Sequence, residues 1–209
     1  MSMELKEVRP EDIEKRSMAI ITEELGRTFP EPEFSVIRRC IHTSADFDYA
    51  DNLTFSEDAV DIGIRAIRNG ADIVTDTKMA AAGINKTKLA SFGGQVHCYI
   101  SDQDVAREAK SRGCTRATVC MERGAEVARQ KPTIFAIGNA PTALVRLADL
   151  IDEGLRPALV IGVPVGFVNV VESKEYMMER DIPYIIARGR KGGSNIAATI
   201  CNAMMYYRE

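Results

Sequence analysis

Histidine is the one side chain whose unperturbed pKa, roughly 6.5, lets it give and take protons near neutrality, and the chain has only two. One of them, His42, sits in a polar cluster that runs Arg38-Arg39-Cys40-Ile41-His42-Thr43-Ser44-Ala45-Asp46-Phe47-Asp48-Tyr49. If the chain works by acid-base chemistry, His42 is the first candidate for the group that moves the proton. The plainer alternative is that it satisfies the end of a helix. The other histidine, His97, has no acidic or cysteine neighbour at metal-ligand spacing except Cys98, whose side chain would point to the opposite face of a strand. His97 is therefore read as structural.

A different chemistry is written in the turns. Arg188-Gly189-Arg190-Lys191-Gly192-Gly193-Ser194 combines glycines, which let a backbone approach a ligand closely, with cations suited to carboxylate or phosphate. It implies an anionic ligand. Three other segments are polar or rich in glycine: Asp76-Thr77-Lys78-Met79 with Gly83-Ile84, Gly138-Asn139-Ala140-Pro141-Thr142, and Gly162-Val163-Pro164-Val165-Gly166-Phe167-Val168. Each signal is weak alone, because glycine at a strand-to-helix turn is commonly steric punctuation and a basic turn is commonly just solvated. There is no GxxxxGK[ST], since Lys191 precedes its glycines, and no GxGxxG opens a helix after the first strand, so a nucleotide site is disfavoured.

The elements that must carry these groups belong to one ordinary globular unit. With 209 residues, 45% hydrophobic and 27% charged, the chain is long enough to bury a sizeable core, and one domain over 1–209 is the simplest count. The net charge of -3 and the lack of a basic run argue against nucleic acid as a partner. The first ten residues lack the apolar centre of a signal peptide, and no apolar run approaches the ~20 residues of a membrane span. A cytoplasmic protein with no membrane partner is expected. The five cysteines, Cys40, Cys98, Cys114, Cys120 and Cys201, form no CxxC pair. That argues against a disulfide framework and a structural metal, and for reduced, mostly buried thiols.

Residues 11–69 read as helical. The first helix covers 11–25 and stops at Gly26, a second covers about 31–42, and a third starts near Ser56 as its N-cap and stops at Asn69-Gly70. From Gly70 onward short apolar runs alternate with helical stretches. Strands are predicted at 72–75, 95–100, 133–137, 158–161 and 183–187, and helices around 103–112, 116–129, 141–152, 168–180 and 194–207. This pattern predicts an α/β fold: a mainly parallel sheet sandwiched by helices, with the N-terminal helices packed onto the same domain. In such sheets ligands bind outside the carboxyl ends of the strands, where the turns above fall.

Taken together these segments resemble one family. Ser17 in Lys15-Arg16-Ser17-Met18-Ala19-Ile20-Ile21, Arg39-Cys40-Ile41-His42, Asp76-Thr77-Lys78-Met79 with Gly83, the run Ala136 to Leu144, the run Ile161 to Val168 leading to Glu172-Ser173-Lys174, and Arg188-Gly189-Arg190 with Gly192-Gly193-Ser194 are similar to the precorrin-8X methylmutases of cobalamin biosynthesis. The likeness covers essentially the whole chain, in order. It implies an isomerase that moves a methyl group from C11 to C12 of a tetrapyrrole, giving hydrogenobyrinic acid, or cobyrinic acid from the cobalt-containing substrate. It also implies that no external cofactor or metal is used and that the enzyme is a homodimer. By the same resemblance His42 is the proton donor and acceptor, and Ser17 and Arg39 match substrate-contacting positions.

The substrate class so implied is a flat apolar disc edged by acetate and propionate groups. It calls for apolar walls and a rim of cations or N–H donors. Arg188, Lys191, Gly192, Ser194, Arg116, Asn139 and Thr77 are candidates for the rim, and Met79, Val165 and Phe167 for the walls. Two other readings stand beside it. One is a corrinoid carrier in which His42 is a hydrogen-bond partner or an axial ligand to cobalt. The other is a flavodoxin-like nucleotide-binding protein, which the missing phosphate motifs disfavour.

Overall fold

The computed structural model describes residues 9–208. The N-terminal part holds α1 (Pro10–Leu25), α2 (Glu33–Ser44), the single turn α3 (Tyr49–Asn52), β1 (Leu53–Phe55) and α4 (Ala59–Arg68). Then follow β2 (Asp72–Thr75), α5 (Lys78–Gly83), α6 (Lys86–Ser91), β3 (Val96–His97), α7 (Gln103–Arg112) and α8 (Arg116–Ala128). The C-terminal part is β4 (Thr133–Ile137), α9 (Pro141–Asp152), β5 (Leu159–Gly162), α10 (Val170–Met178), β6 (Tyr184–Ala187) and α11 (Ser194–Tyr206).

The strands form one six-stranded sheet in the order β1-β6-β5-β4-β2-β3. All neighbours run parallel except β1, which pairs antiparallel with the edge of β6. The side chains of β4 show how the layers are made. Ile134 and Ala136 join the core under α1, α2, α4 and α11, while Phe135 and Ile137 join the core under α7, α8, α9 and α10. This is the two-residue alternation of a strand buried on both faces. The expected α/β sandwich, with the N-terminal helices packed on the same sheet, is what the chain forms.

Several expectations need correction. The stretch 11–69 is not all helical, because Leu53–Phe55 leaves α3 and pairs with β6. Three residues are too few to show a period. Ser56 is not the N-cap of α4. Its Oγ accepts the Tyr184 N–H at 2.9 Å, and the cap position is Asp58, in the left-handed region at φ 54°. The strand expected at 95–100 is only Val96–His97, at the sheet edge beside β2. The short helices α5 and α6 were not anticipated; each opens on a side-chain cap, Thr77 to the Ala80 N–H and Asn85 to the Lys88 N–H.

All five cysteines are unpaired, and Cys40, Cys120 and Cys201 are buried. Burial pushes the Cys120 and Cys201 thiols up to about 12, which makes them poor nucleophiles. His97 Nε2 lies 2.8 Å from Asp72 Oδ2, and Lys131 Nζ lies 2.7 Å from Oδ1 of the same carboxylate. His97 therefore ties β3 to the start of β2. Among the described residues no group of histidine, cysteine and acidic side chains is arranged to hold a metal, and no helix is long and apolar enough to cross a membrane.

Gly124 on α8 shows how closely the second core is packed. A Cβ there would lie 2.8 Å from both the Phe135 ring and Val74. Gly124→Ala should cost about 1–3 kcal/mol by overpacking, read as a lower urea midpoint with an unchanged slope.

Candidate active site

The site is assembled at the carboxyl ends of the strands, at the crevice between β2 and β4. There the chain has laid β3 on one side of β2 and β4, β5 and β6 on the other, so the helices that leave β2 and β4 diverge. Asp76, one residue past β2 and 1% exposed, spans this crevice. Its carboxylate accepts the N–H groups of Gly138 at 2.9 Å, Asn139 at 2.8 Å and Ala140 at 2.7 Å. Burial pushes its pKa up, and the three N–H bonds pull against that shift. A group that accepts three donors and gives none is acting as the carboxylate.

The start of α11 is pressed into the same place. Thr77, which caps α5, also shares a 2.7 Å hydrogen bond with Ser194 Oγ. A Cβ on Gly138 would lie 2.6 Å from Ser194 Cα, and one on Gly192 would lie 2.1 Å from the Val163 carbonyl oxygen. Only glycine fits at either position. The Gly193 N–H donates to that same Val163 oxygen at 2.8 Å. From below, Lys174 of α10, fully buried, donates from Nζ to the carbonyls of Gly189 and Lys191, each at 2.8 Å. With no carboxylate paired to it among the described residues, burial lowers its pKa to about 8.

The C-terminal end of α2 is fastened to this turn. Lys191 Nζ lies 2.6 Å from both Asp46 and Asp48, the Tyr49 hydroxyl donates to the Gly192 carbonyl at 3.4 Å, and Thr43 and Thr199 share a 2.9 Å hydroxyl contact. The Lys191 hydrogen bond holds the Asp46 carboxyl below its ordinary range against a modest opposing effect of burial. His42, in the last turn of α2, is exposed and has no hydrogen bond or ion pair among the described residues. Arg39, three residues earlier and so on the same side of the helix, pairs with Glu14 of α1 at 2.8 Å. One turn beyond Glu14 is Ser17, whose hydroxyl donates back to the Ile13 carbonyl at 2.9 Å.

The structure thus gathers Thr77, Asn139, Lys191, Gly192 and Ser194 at one crevice and joins the end of α2, with His42, to it. Arg116 starts α8 in the opposite helix layer, where a 2.9 Å contact between Thr115 and Thr142 sets it beside the start of α9. Two expected rim cations are already engaged. Arg188 makes a bidentate pair with Glu175, at 3.0 Å on each side, and Lys191 has its two aspartates. The cation of that turn without a carboxylate partner is Arg190, which lies 5.4 Å over the Phe167 ring. The expected walls are strongly exposed: Met79 is 70%, Val165 47% and Phe167 83% exposed, with Val168 beside them at 76%. Sequence reading missed the parts played by Asp76, Tyr49 and Lys174. Asp76 stood in a quoted turn, but nothing in the sequence marks which backbone a carboxylate will bind.

The chain has relatives among known proteins. The model of the CbiC, precorrin-8X methylmutase, family matches residues 12–207. A cobalt-precorrin-8 methylmutase of Priestia megaterium is 45% identical over 199 residues, covering 94% of this chain and 88% of that one. One from Salmonella typhimurium is 44% identical over 205 residues, covering 95% and 96%. The crystal structure of a precorrin-8x methyl mutase from Thermus thermophilus superposes with a TM-score of 0.85 at 39% identity, covering 93% of this chain and 96% of that one.

Replacing Asp76 by Asn exchanges one acceptor oxygen for an amide that must face a backbone N–H. Asp76→Asn should destabilise the fold by about 1–3 kcal/mol, seen as a lower melting temperature. Protection of the Gly138, Asn139 and Ala140 amides in hydrogen exchange should fall more than protection of the β5 amides.

Proposed function

Because the chain belongs to the precorrin-8X methylmutase family and is a methylmutase, an isomerase, we propose that His42 carries the proton on which the methyl shift depends. The rearrangement breaks the bond from C11 to the methyl carbon and makes one from C12 to the same carbon. No atom is gained or lost, so a proton lent to a ring nitrogen must be returned. Protonation polarises the conjugated ring and lowers the barrier to migration, and the same imidazole takes the proton back. The observation that carries this reading is the His42 ring itself: exposed, unpartnered among the described residues, and carried on the last turn of α2, which Thr43 ties to Thr199 of α11 and which is followed by Asp46, Asp48 and Tyr49, tied to the Lys191-Gly192 turn.

In this reading Arg39 and Ser17 exchange their present partners, Glu14 and the Ile13 carbonyl, for substrate carboxylates. Arg188, Lys191, Arg116, Asn139, Thr77, Gly192 and Ser194 supply the rest of the rim. The disc lies on Met79, Val165 and Phe167, whose exposure leaves an apolar face at the mouth. A second copy of the chain covers that face, with the disc between the two. The substrate is the cobalt-containing one, supported by the names borne by the Priestia and Salmonella relatives. The place of work is the cytoplasm, supported by five unpaired cysteines.

Absorbance spectra of the protein with metal-free and cobalt-loaded precorrin-8 test the assignment. Wild type should convert the cobalt form faster. His42→Ala should lose about 100-fold or more in kcat while still binding the substrate. Turnover of His42→Ala within a few-fold of wild type would remove the proton role, and binding without conversion by wild type would leave a carrier. In sedimentation, Phe167→Asp should shift the protein from dimer to monomer.

A further inference from the structure

The turn between β6 and α11 has an unusual division of its backbone groups. Its four successive carbonyls all face protein donors. Gly189 and Lys191 accept from Lys174 Nζ, Arg190 from the Gly166 N–H at 3.2 Å, and Gly192 from the Tyr49 hydroxyl. The N–H groups of the same four residues have no acceptor among the described residues. Backbone donors are seldom left without a partner unless water or a ligand takes them. In a trans peptide the C=O and the following N–H point in opposite directions, and the peptides of this turn are trans. With the Gly189 and Lys191 carbonyls drawn inward to Lys174, the Arg190 and Gly192 N–H groups must therefore point outward.

Lys174 is not explained by charge pairing. It is a fully buried lysine with no carboxylate within ion-pair distance among the described residues, and both of its hydrogen bonds go to this one turn. Burying an unpaired ammonium costs free energy, so the arrangement is one that the turn needs. Outward N–H groups on one side of a turn can bind an anion, and here Arg190 and Gly192, with one residue between them, supply two while the carbonyls of the turn are taken by protein donors.

We propose that Lys174 is a positioning residue: by holding the Gly189 and Lys191 carbonyls from below, it turns the Arg190 and Gly192 amides outward as a paired site for one carboxylate of the substrate rim. This rests on the methylmutase reading above. It assigns to backbone N–H groups part of the task that the side chains of Arg188 and Lys191, engaged by Glu175, Asp46 and Asp48, are less free to perform. Because the carboxylate belongs to the edge of the disc and not to the migrating methyl, the amides hold ground state and transition state alike. Their loss therefore falls on KM.

Two measurements test it. Steady-state kinetics of Lys174→Met should show KM raised about ten-fold, the worth of one charge-assisted hydrogen bond, with kcat within about two-fold, and Lys174→Arg should recover most of the loss. Titration of the 15N-labelled wild-type protein with the reaction product should shift the Arg190 and Gly192 amide protons downfield. This second measurement needs no variant to fold. Product binding that leaves those two amides unmoved, or a Lys174→Met enzyme that loses kcat at unchanged KM, would overturn the inference while leaving the methylmutase reading in place. Failure of wild type to bind the product at all would overturn both.

Discussion

A carboxylate at the split between two strands organises this molecule. In a doubly wound sheet the helices leaving adjacent central strands depart to opposite faces, which opens a gap just past the strand ends, where the β2–β4 ladder stops. Asp76 closes that gap with three backbone donors from the segment after β4. It brings Gly138 to where α11 can begin, and the Thr77–Ser194 contact then fixes the helix start from the other side. A residue that costs free energy to bury is thereby the common anchor of the turns after β2 and β4 and of the helix after β6.

The second layer of organisation is peripheral and mostly polar. The end of α2 reaches the crevice through an ion pair shared by two aspartates, a tyrosine hydroxyl and a pair of threonines. Its inner side, with Ile37, Cys40 and Ile41, is packed into the core. The apolar side sets where the helix lies, and the polar contacts set where its last turn ends. The position of His42 follows from both. Glu14 and Arg39 join α1 to α2 on the side of α2 that carries His42.

Much of this was legible in the chain. The alternation of short apolar runs with amphipathic helices marks the parallel strands and α7 through α11, because burial on both faces demands it. The glycines at 138 and 192 stood out as turn residues, but their reason is a close approach to Gly193-Ser194 and to Val163-Pro164, segments far away in the chain, which no local pattern displays. β1 was hidden because three residues carry no period, and its pairing with β6 is a tertiary matter. Lys174 stood in the sequence only as the end of the Glu172-Ser173-Lys174 segment, and its burial beneath the Gly189–Lys191 carbonyls is a tertiary matter. Arg188 and Lys191 read as free cations because the acidic groups that bind them come from α10 and from the loop after α2.

The tight seating of Gly138 and Gly192 bears on how such a protein can change its ligand. Neither position admits even a methyl group without moving main chain, so the floor of the crevice has no room to drift. Met79, Val165, Phe167 and Val168 touch little of the folded chain and can be exchanged at small expense to folding. If the disc lies on that lip as proposed, a library aimed at altered ring faces belongs there and not at the glycine floor.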